Sequence, residues 1–404
     1  MSSERLSFCM VTTFYPPASF GGDGIYVQRL SRALVARGHE VTVVHSEDAY
    51  RALGGRAEPR AEDDGVVIHP LRRRFARGAA LASYLTGRPA FYAGELEDVL
   101  ARGRFDVVNF HNVSLVGGPG VLRYGDALKL YTTHEHWLVC PMHVLFRDNR
   151  EPCVDPHCLR CSLRFHRPPQ LWRYGGLLAR SIPEVDLFLV PSQFSIDAHR
   201  ARGFTAPMRR LPPFVPGAER QAAEHVSSSR PYFLFAGRLE RLKGAHVLLD
   251  VFSRFRGADL LVAGEGSEAQ ELRRRAASLE HVRLLGGVDW QRLGALYSGA
   301  VALVIPSVGY ETFGTVGAEA MAHGTPVIVN DLGGLPELAA RSGGGIVYRG
   351  EAELVEAMRR LLTDPALRQE LGERGRAAWR ELWSEEAHLR EYFAAIDEAR
   401  ALAA

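Results

Sequence analysis

No apolar run in this 404-residue chain is long enough to cross a bilayer. The opening stretch "MSSERLSFCMVTTFYPP" lacks the charged-then-apolar layout of a secretory signal. These two absences predict a cytoplasmic protein in a reducing compartment, where clustered cysteines bind metal more often than they pair. A surplus of one charge is missing as well. The 49 basic and 47 acidic side chains leave a formal net charge of +2, too weak a field to argue for nucleic acid. Low-complexity tracts and short-period repeats are absent. The length calls for two or three domains, and a composition 46% apolar and 24% charged is that of a globular protein. One local imbalance is "LRRRFARG", Leu71 to Gly78, a basic run beside apolar residues. It reads as a solvated loop or helix face, with contact to an acidic substrate or to an anionic membrane, peripherally on its inner face, as the alternative.

Cysteine is scarce, five in all, yet four fall within 22 residues as C-x12-C-x4-C-x2-C. Thiolates at that spacing converge on tetrahedral zinc, and C-x2-C is the usual half-site. Cys140, Cys153, Cys158 and Cys161 are therefore expected to hold a structural zinc, with His143 or His157 able to replace one of them. Unligated buried cysteines are the plainer alternative. An iron–sulfur cluster would use the same four thiolates, but nothing in the sequence calls for redox work.

The chain reads as two α/β halves. "LSFCMVTTF" suits a buried strand, "YPPASFGGDG" a glycine-rich loop, "IYVQRLSRALVARG" a helix and "HEVTVVHS" the next strand. The strand candidates "GVVIHP", "DVVNFH", "LKLYTT" and "VDLFLVPS" follow. A proline-rich, then serine-rich stretch from Leu211 to Arg230 reads as a linker. Beyond it the pattern restarts with "PYFLFAG" and alternates strands and helices to "GGGIVYRG". From Glu351 onward the sequence is helical and charged. The prediction is two doubly wound parallel-sheet domains facing across a cleft.

Three stretches carry chemistry. In "GYETFGTVGAEAMAHGTPVI", Glu311 and Glu319 stand eight residues apart, the second two turns into a helix beginning near Gly314. Both carboxylates are expected to reach one ligand, while free N–H groups around Gly314, Thr315 and Val316 seat a phosphate. In "FAGRLERLKGAHVLLD", a strand ends at Gly237, and Arg238 and Lys243 bring two positive charges to where a diphosphate would lie. Gly21 and Gly22 of "SFGGDG" let backbone approach a phosphate closely. "AGEGSE", with Gly266, follows a later strand but lacks the full dinucleotide fingerprint.

In this order, Gly21–Gly22, "GRLERLKG", "LVAGEGSE", the E-x7-E of Glu311 and Glu319, and "GGLPEL" resemble family 4 of the retaining, nucleotide-sugar-dependent glycosyltransferases with the GT-B fold, as found in bacteria. The resemblance covers nearly the whole chain. It implies an acceptor-binding domain over residues 1–212, with the cysteine insert at 138–170 and completion by a C-terminal helix at 385–404. A donor-binding domain would then span 231–384. It implies that Glu311 holds sugar hydroxyls, Glu319 the ribose, and that His134 of "YTTHEHW" faces the donor sugar. His111 of "NFHN" is a weaker candidate. The expected reaction moves a sugar from a UDP- or GDP-linked donor to a glycan, lipid-linked or small-molecule hydroxyl, as in polysaccharide biosynthesis. Retention would come from same-face attack, without a catalytic metal. "LPPFVPG" departs from the family's linker pattern and suggests a stiffer link. An epimerase or phosphorylase of the same fold is the runner-up, and a zinc-dependent nucleic-acid binder comes further behind. Oligomeric state leaves no sequence signal.

Overall fold

The computed structural model of the protein describes residues 5–56, 62–217 and 230–404. Each half is built around one sheet. The first sheet has eight strands. In spatial order they are Met208–Arg210, Leu187–Val190, Leu128–Thr132, Val107–Phe110, Ser7–Thr12, Glu40–Ser46, Val66–Leu71 and Glu62–Asp63. All neighbours run parallel except the last pair. The second sheet has six parallel strands: Val282–Gly286, Asp259–Ala263, Tyr232–Ala236, Ala302–Ile305, Val327–Asn330 and Gly345–Tyr348.

These orders decide where a ligand sits. In the second sheet the chain winds outward from Tyr232–Ala236 in one direction, then from Ala302–Ile305 in the other. The loops after those two adjacent strands diverge and leave a crevice, the usual ligand position in an open α/β sheet. The first sheet has the same switch between Ser7–Thr12 and Val107–Phe110. The crevices open beside "GRLERLKG" with "SVGYETFG" in one domain, and beside "SFGGDG" with His111 in the other.

Parallel strands buried on both faces need continuous apolar sequence. Phe8 to Val11 and Phe233 to Phe235 supply it, and all are nearly inaccessible. The strand expectations from "GVVIHP", "DVVNFH", "LKLYTT" and "VDLFLVPS" coincide with observed strands. The first long helix, Gly22–Val35, starts three residues earlier than its apolar periodicity indicates, because Gly21 serves as its extended N-cap.

Of the expected linker from Leu211 to Arg230, residues 218–229 lie outside the described residues. Its first part is packed. The Pro212 carbonyl lies 2.9 Å from His388 Nδ1, and Val215 N–H donates to the Trp383 carbonyl. Trp379 Nε1 donates back to the Val215 carbonyl at 3.1 Å. The outgoing and returning crossings are thus fastened together beside a π-helical turn, Trp379–Trp383. The final helix, Glu385–Ala403, then lies on the first sheet, with Leu389, Tyr392, Ala395 and Ile396 in one apolar cluster with Phe8 and Met10. Buried Asn109 donates to the Tyr392 hydroxyl.

Candidate functional site at the cleft

The loops at the second domain's switch point interlock before any side chain matters. A Cβ on Gly266 would stand 2.5 Å from the Leu239 carbonyl oxygen, so the "AGEGSE" loop closes on the "GRL" turn only through glycine. Leu239 N–H donates to the Glu265 carbonyl across the same seam. Gly237 ends its strand with an N–H donated to Ala263, and Arg238 projects outward against Glu240 at 2.9 Å. Gly314 caps the Thr315–Ala322 helix at φ 94°, left-handed backbone that favours glycine. Thr315 and Val316 open that helix. Their N–H groups belong to its first turn, where no intrahelical acceptor exists.

Lys243 and Glu311 meet directly. The ammonium is 2.7 Å and 2.9 Å from the two carboxylate oxygens, and Ser307 donates to the first of them at 2.6 Å. Burial pushes the Glu311 carboxyl up, but Lys243, the Ser307 hydroxyl and the charge of Arg238 outweigh it and hold the group below its ordinary value. Glu311 is therefore an ionised acceptor at neutral pH. Its backbone is gripped from behind, since Gly334 N–H donates to the Glu311 carbonyl at 2.7 Å.

Glu319 behaves in the opposite way. The helix begins at Thr315, next to the expected Gly314, and Glu319 is its fifth residue, just past the first turn rather than two turns in. Its carboxylate accepts from the Tyr297 hydroxyl at 3.1 Å. Burial raises it to about 7, against the pull of Arg29 and Tyr297. Arg29 comes from the other domain, on the Gly22–Val35 helix, and its guanidinium lies 5.0 Å from the Trp290 ring centre. The two glutamates thus have separate partners: Lys243 and Ser307 for one, Tyr297 and Arg29 for the other.

On the first domain, His134 Nε2 and His111 Nδ1 are 3.1 Å apart and the rings stack, with Tyr26 edge-on to both. Burial lowers both imidazoles, and Asp23 and Glu135 oppose the shift at His134. The His134 carbonyl accepts from Thr312 Oγ1 at 3.2 Å, which ties this strand end to the residue after Glu311. Gly21 and Gly22 begin the helix that carries Asp23. Asn112 Nδ2 donates to both Asp23 (3.3 Å) and Glu135 (3.2 Å), and Glu135 is bound to His143.

The insert after His134 is anchored to this network. Its short hairpin pairs Phe146–Arg147 with Glu151–Pro152, and Cys158–Arg164 is a helix. Cys140, Cys153 and Cys161 are buried in one cluster with Met142 and Leu145, against Phe194 and Tyr310. Tyr310 adjoins Glu311, and its ring lies 5.0 Å from Phe194. Burial first, and the neighbouring thiols after it, raise Cys153, Cys158 and Cys161 above the ordinary thiol value. Among the described residues, no three His, Cys, Asp or Glu side chains are arranged to hold a metal ion. The two histidines weighed as replacement ligands are engaged elsewhere, His143 with Glu135 and His157 with Asp155.

Sequence spacing did not point to Arg29, Trp290, Tyr297, Ser307 or the Asp23–Asn112–Glu135 chain. An arginine mid-helix and a tyrosine in "WQRLGALYSG" carry no local signature. Asn112 is the exception, because it directly follows a predicted strand end, where ligand-facing residues gather.

Two parallel-sheet domains, each with its switch point aimed at a shared cleft, define the GT-B architecture. Residues 20–219 match the family described as Glycosyltransferase Family 4, and residues 218–378 match Glycosyl transferases group 1. The D-inositol 3-phosphate glycosyltransferase 1 of Catenulispora acidiphila is 36% identical over 86% of this chain and 83% of its own. The sucrose-phosphate synthase of Thermosynechococcus elongatus superposes with a TM-score of 0.76 at 20% identity, covering 98% of this chain and 100% of that one. An Anabaena protein, HepE, described in complex with UDP, superposes with a TM-score of 0.66 at 14% identity, over 97% of this chain and 100% of its own. The chain belongs to the family 4 glycosyltransferases of the GT-B fold.

Proposed function

We propose that the protein transfers a hexosyl group from a nucleoside-diphosphate sugar, UDP- or GDP-linked, to an acceptor hydroxyl, with retention at the anomeric carbon. The observation that carries this reading is the Lys243–Glu311 pair at the donor domain's switch point, with Arg238 beside it. A departing diphosphate needs its growing charge met by fixed donors. Lys243 and Arg238 supply cations, and the first-turn amides of Thr315 and Val316 supply N–H groups. Gly21, Gly22, Gly237 and Gly266 allow backbone to approach the donor. Glu311, already ionised, accepts hydrogen bonds from the sugar's hydroxyls, and Glu319 accepts from the ribose.

In the reaction, the bond from anomeric carbon to diphosphate oxygen breaks and a bond to the acceptor oxygen forms on the same face. The acceptor proton passes to the departing phosphate. His134 meets the sugar from the first domain, as a neutral imidazole, since burial lowers its affinity for a proton. Asp23, Asn112 and Glu135 present oxygen acceptors beside it, which suits a hydroxyl-rich acceptor: a glycan, a lipid-linked sugar or a small polyol. Among donor nucleotides UDP has the better support, because the Anabaena protein of this fold is described with UDP.

Incubation with UDP- and GDP-sugars tests this. The expectation is slow release of one free nucleoside diphosphate, abolished by Lys243→Met. Release from neither donor, with no thermal stabilisation by UDP or GDP, sinks it.

We infer further that the insert's four thiols take a structural zinc when the metal is supplied. The support is chemical: four cysteines at metal spacing, three of them buried in one cluster, with Cys153, Cys158 and Cys161 each in the electrostatic field of Cys140. No step of the transfer runs through it. Metal analysis of the purified protein is expected to give one zinc per chain, lost in Cys158→Ser. Its absence from the wild type would contradict the inference.

A further inference from the structure

The near-neutral net charge hides a strong asymmetry. Residues 65–94 and 156–183 hold ten arginines and no Asp or Glu, so the remainder carries 39 basic against 47 acidic residues. Distant in sequence, the two acid-free stretches lie side by side. The Tyr84 hydroxyl donates to the Pro168 carbonyl at 3.0 Å, and Trp172 Nε1 donates to the Tyr84 carbonyl at 2.9 Å.

The first stretch forms the Ala76–Thr86 helix, which buries Ala79, Ala80, Ser83 and Tyr84. Its other face is the unusual one. Leu81 and Leu85, one turn apart, are exposed at 47% and 42%. Phe75 and Phe91 pack edge to face, ring centres 4.9 Å apart, and each is about half exposed at 52%. Arg74, Arg77 and Arg88 are exposed around these rings and leucines. Arg72 and Arg73 pair with Glu47 and Glu95, but among the described residues no ion pair engages the other three. From the second stretch, exposed Leu171 and Arg167 extend the same surface.

Large apolar side chains exposed among arginines that pair with no acid among the described residues lose favourable burial and leave those charges uncompensated there. A bilayer rich in anionic lipid supplies both, taking up the rings and leucines while the guanidinium groups stay at the phosphate level. We propose that this face docks the protein on an anionic phospholipid surface. It leads toward the acceptor side of the cleft, because Arg173 stacks on Trp172 and Trp137, and Trp137 stands three residues after His134. The proposal does not depend on the transfer reaction, because docking is read without any sugar donor.

Sedimentation of the full-length chain with phosphatidylcholine vesicles, with and without phosphatidylglycerol, tests it. Binding is expected only to the phosphatidylglycerol vesicles, weakening as salt rises. Each arginine near such a surface is worth about fivefold in partitioning, so R74Q/R77Q/R88Q is expected to lose about a hundredfold. Leu81→Ser with Leu85→Ser is expected to weaken binding with every arginine in place. Thermal unfolding of each variant verifies that it folds. Equal binding to both vesicle types, no binding to either, or an unchanged triple variant would overturn the proposal. So would retention on heparin without vesicle binding, since that would make the patch a generic site for anionic polymers.

Discussion

The Lys243 ammonium sits between both carboxylate oxygens of Glu311, at 2.7 Å and 2.9 Å, and joins the loop after one central strand to the loop after its neighbour. The strands are adjacent but their loops lead opposite ways round the sheet, so the ion pair bridges the mouth of the switch-point crevice. Each member holds the other in place.

Breaking that pair from one side is expected to cost more than removing it whole. Lys243→Met leaves the mostly buried Glu311 carboxylate unpaired, at a cost of about 3–5 kcal/mol. Lys243→Met with Glu311→Leu is expected to recover most of that loss. Urea unfolding of the two singles and the double measures the difference. Donor turnover is expected to fall about 100- to 1000-fold in either single and not to recover in the double.

Glu319 predicts a pH dependence. Its folded value of about 7 lies above the ordinary carboxyl value, so burial disfavours ionisation. Below about pH 4.5 both folded and unfolded chains hold the proton, and there is no penalty. Between about 4.5 and 7 the unfolded chain has released it while the folded chain has not, so this group's contribution to stability falls with rising pH. Above 7 the penalty is constant. Thermal unfolding from pH 4.5 to 8 is expected to show this downward component in wild type and lack it in Glu319→Gln.

Arg29 is expected to set where that titration falls. Its charge favours ionised Glu319 from across the cleft. Arg29→Gln is expected to move the pH midpoint of UDP affinity upward, with binding weaker at pH 7 and nearly restored at pH 9. Calorimetric titration at several pH values checks this, and an unshifted midpoint would separate Arg29 from the donor site.

Acceptor recognition is expected to divide from donor recognition at Glu135. Glu135→Gln loses its charge beside His143 and Asn112 but leaves the donor loops untouched. Donor hydrolysis is expected to persist while the acceptor KM rises about tenfold, the effect of one charged hydrogen bond. Initial rates against acceptor concentration measure it.

Much of the fold was legible because parallel strands buried on both faces need unbroken apolar runs, as in "FCMV" and "YFLFA". Glycine loops at strand ends were legible for a similar reason, since only glycine permits the approach at Gly266. The Lys243–Glu311 contact was not, because 68 residues separate the partners and only the sheet order brings them together. Arg29 beside Glu319 lies deeper still, requiring both domains and the cleft between them. The cysteines stood out by spacing alone. The sequence carried no hint that their insert would pack against Tyr310 and so touch the loop that carries Glu311. The arginine patch was half visible in "LRRRFARG", while its second stretch joins only through the Tyr84–Pro168 contact.

The central claim is that the crevice around Lys243 and Glu311 handles a nucleoside-diphosphate sugar. The most direct test is isothermal calorimetry of UDP, then UDP-sugar, into wild type and Lys243→Met. Saturable one-to-one binding in wild type, weakened at least tenfold in the variant, is the predicted result. Binding of equal strength in both proteins, or none in the wild type for UDP or GDP, would contradict it.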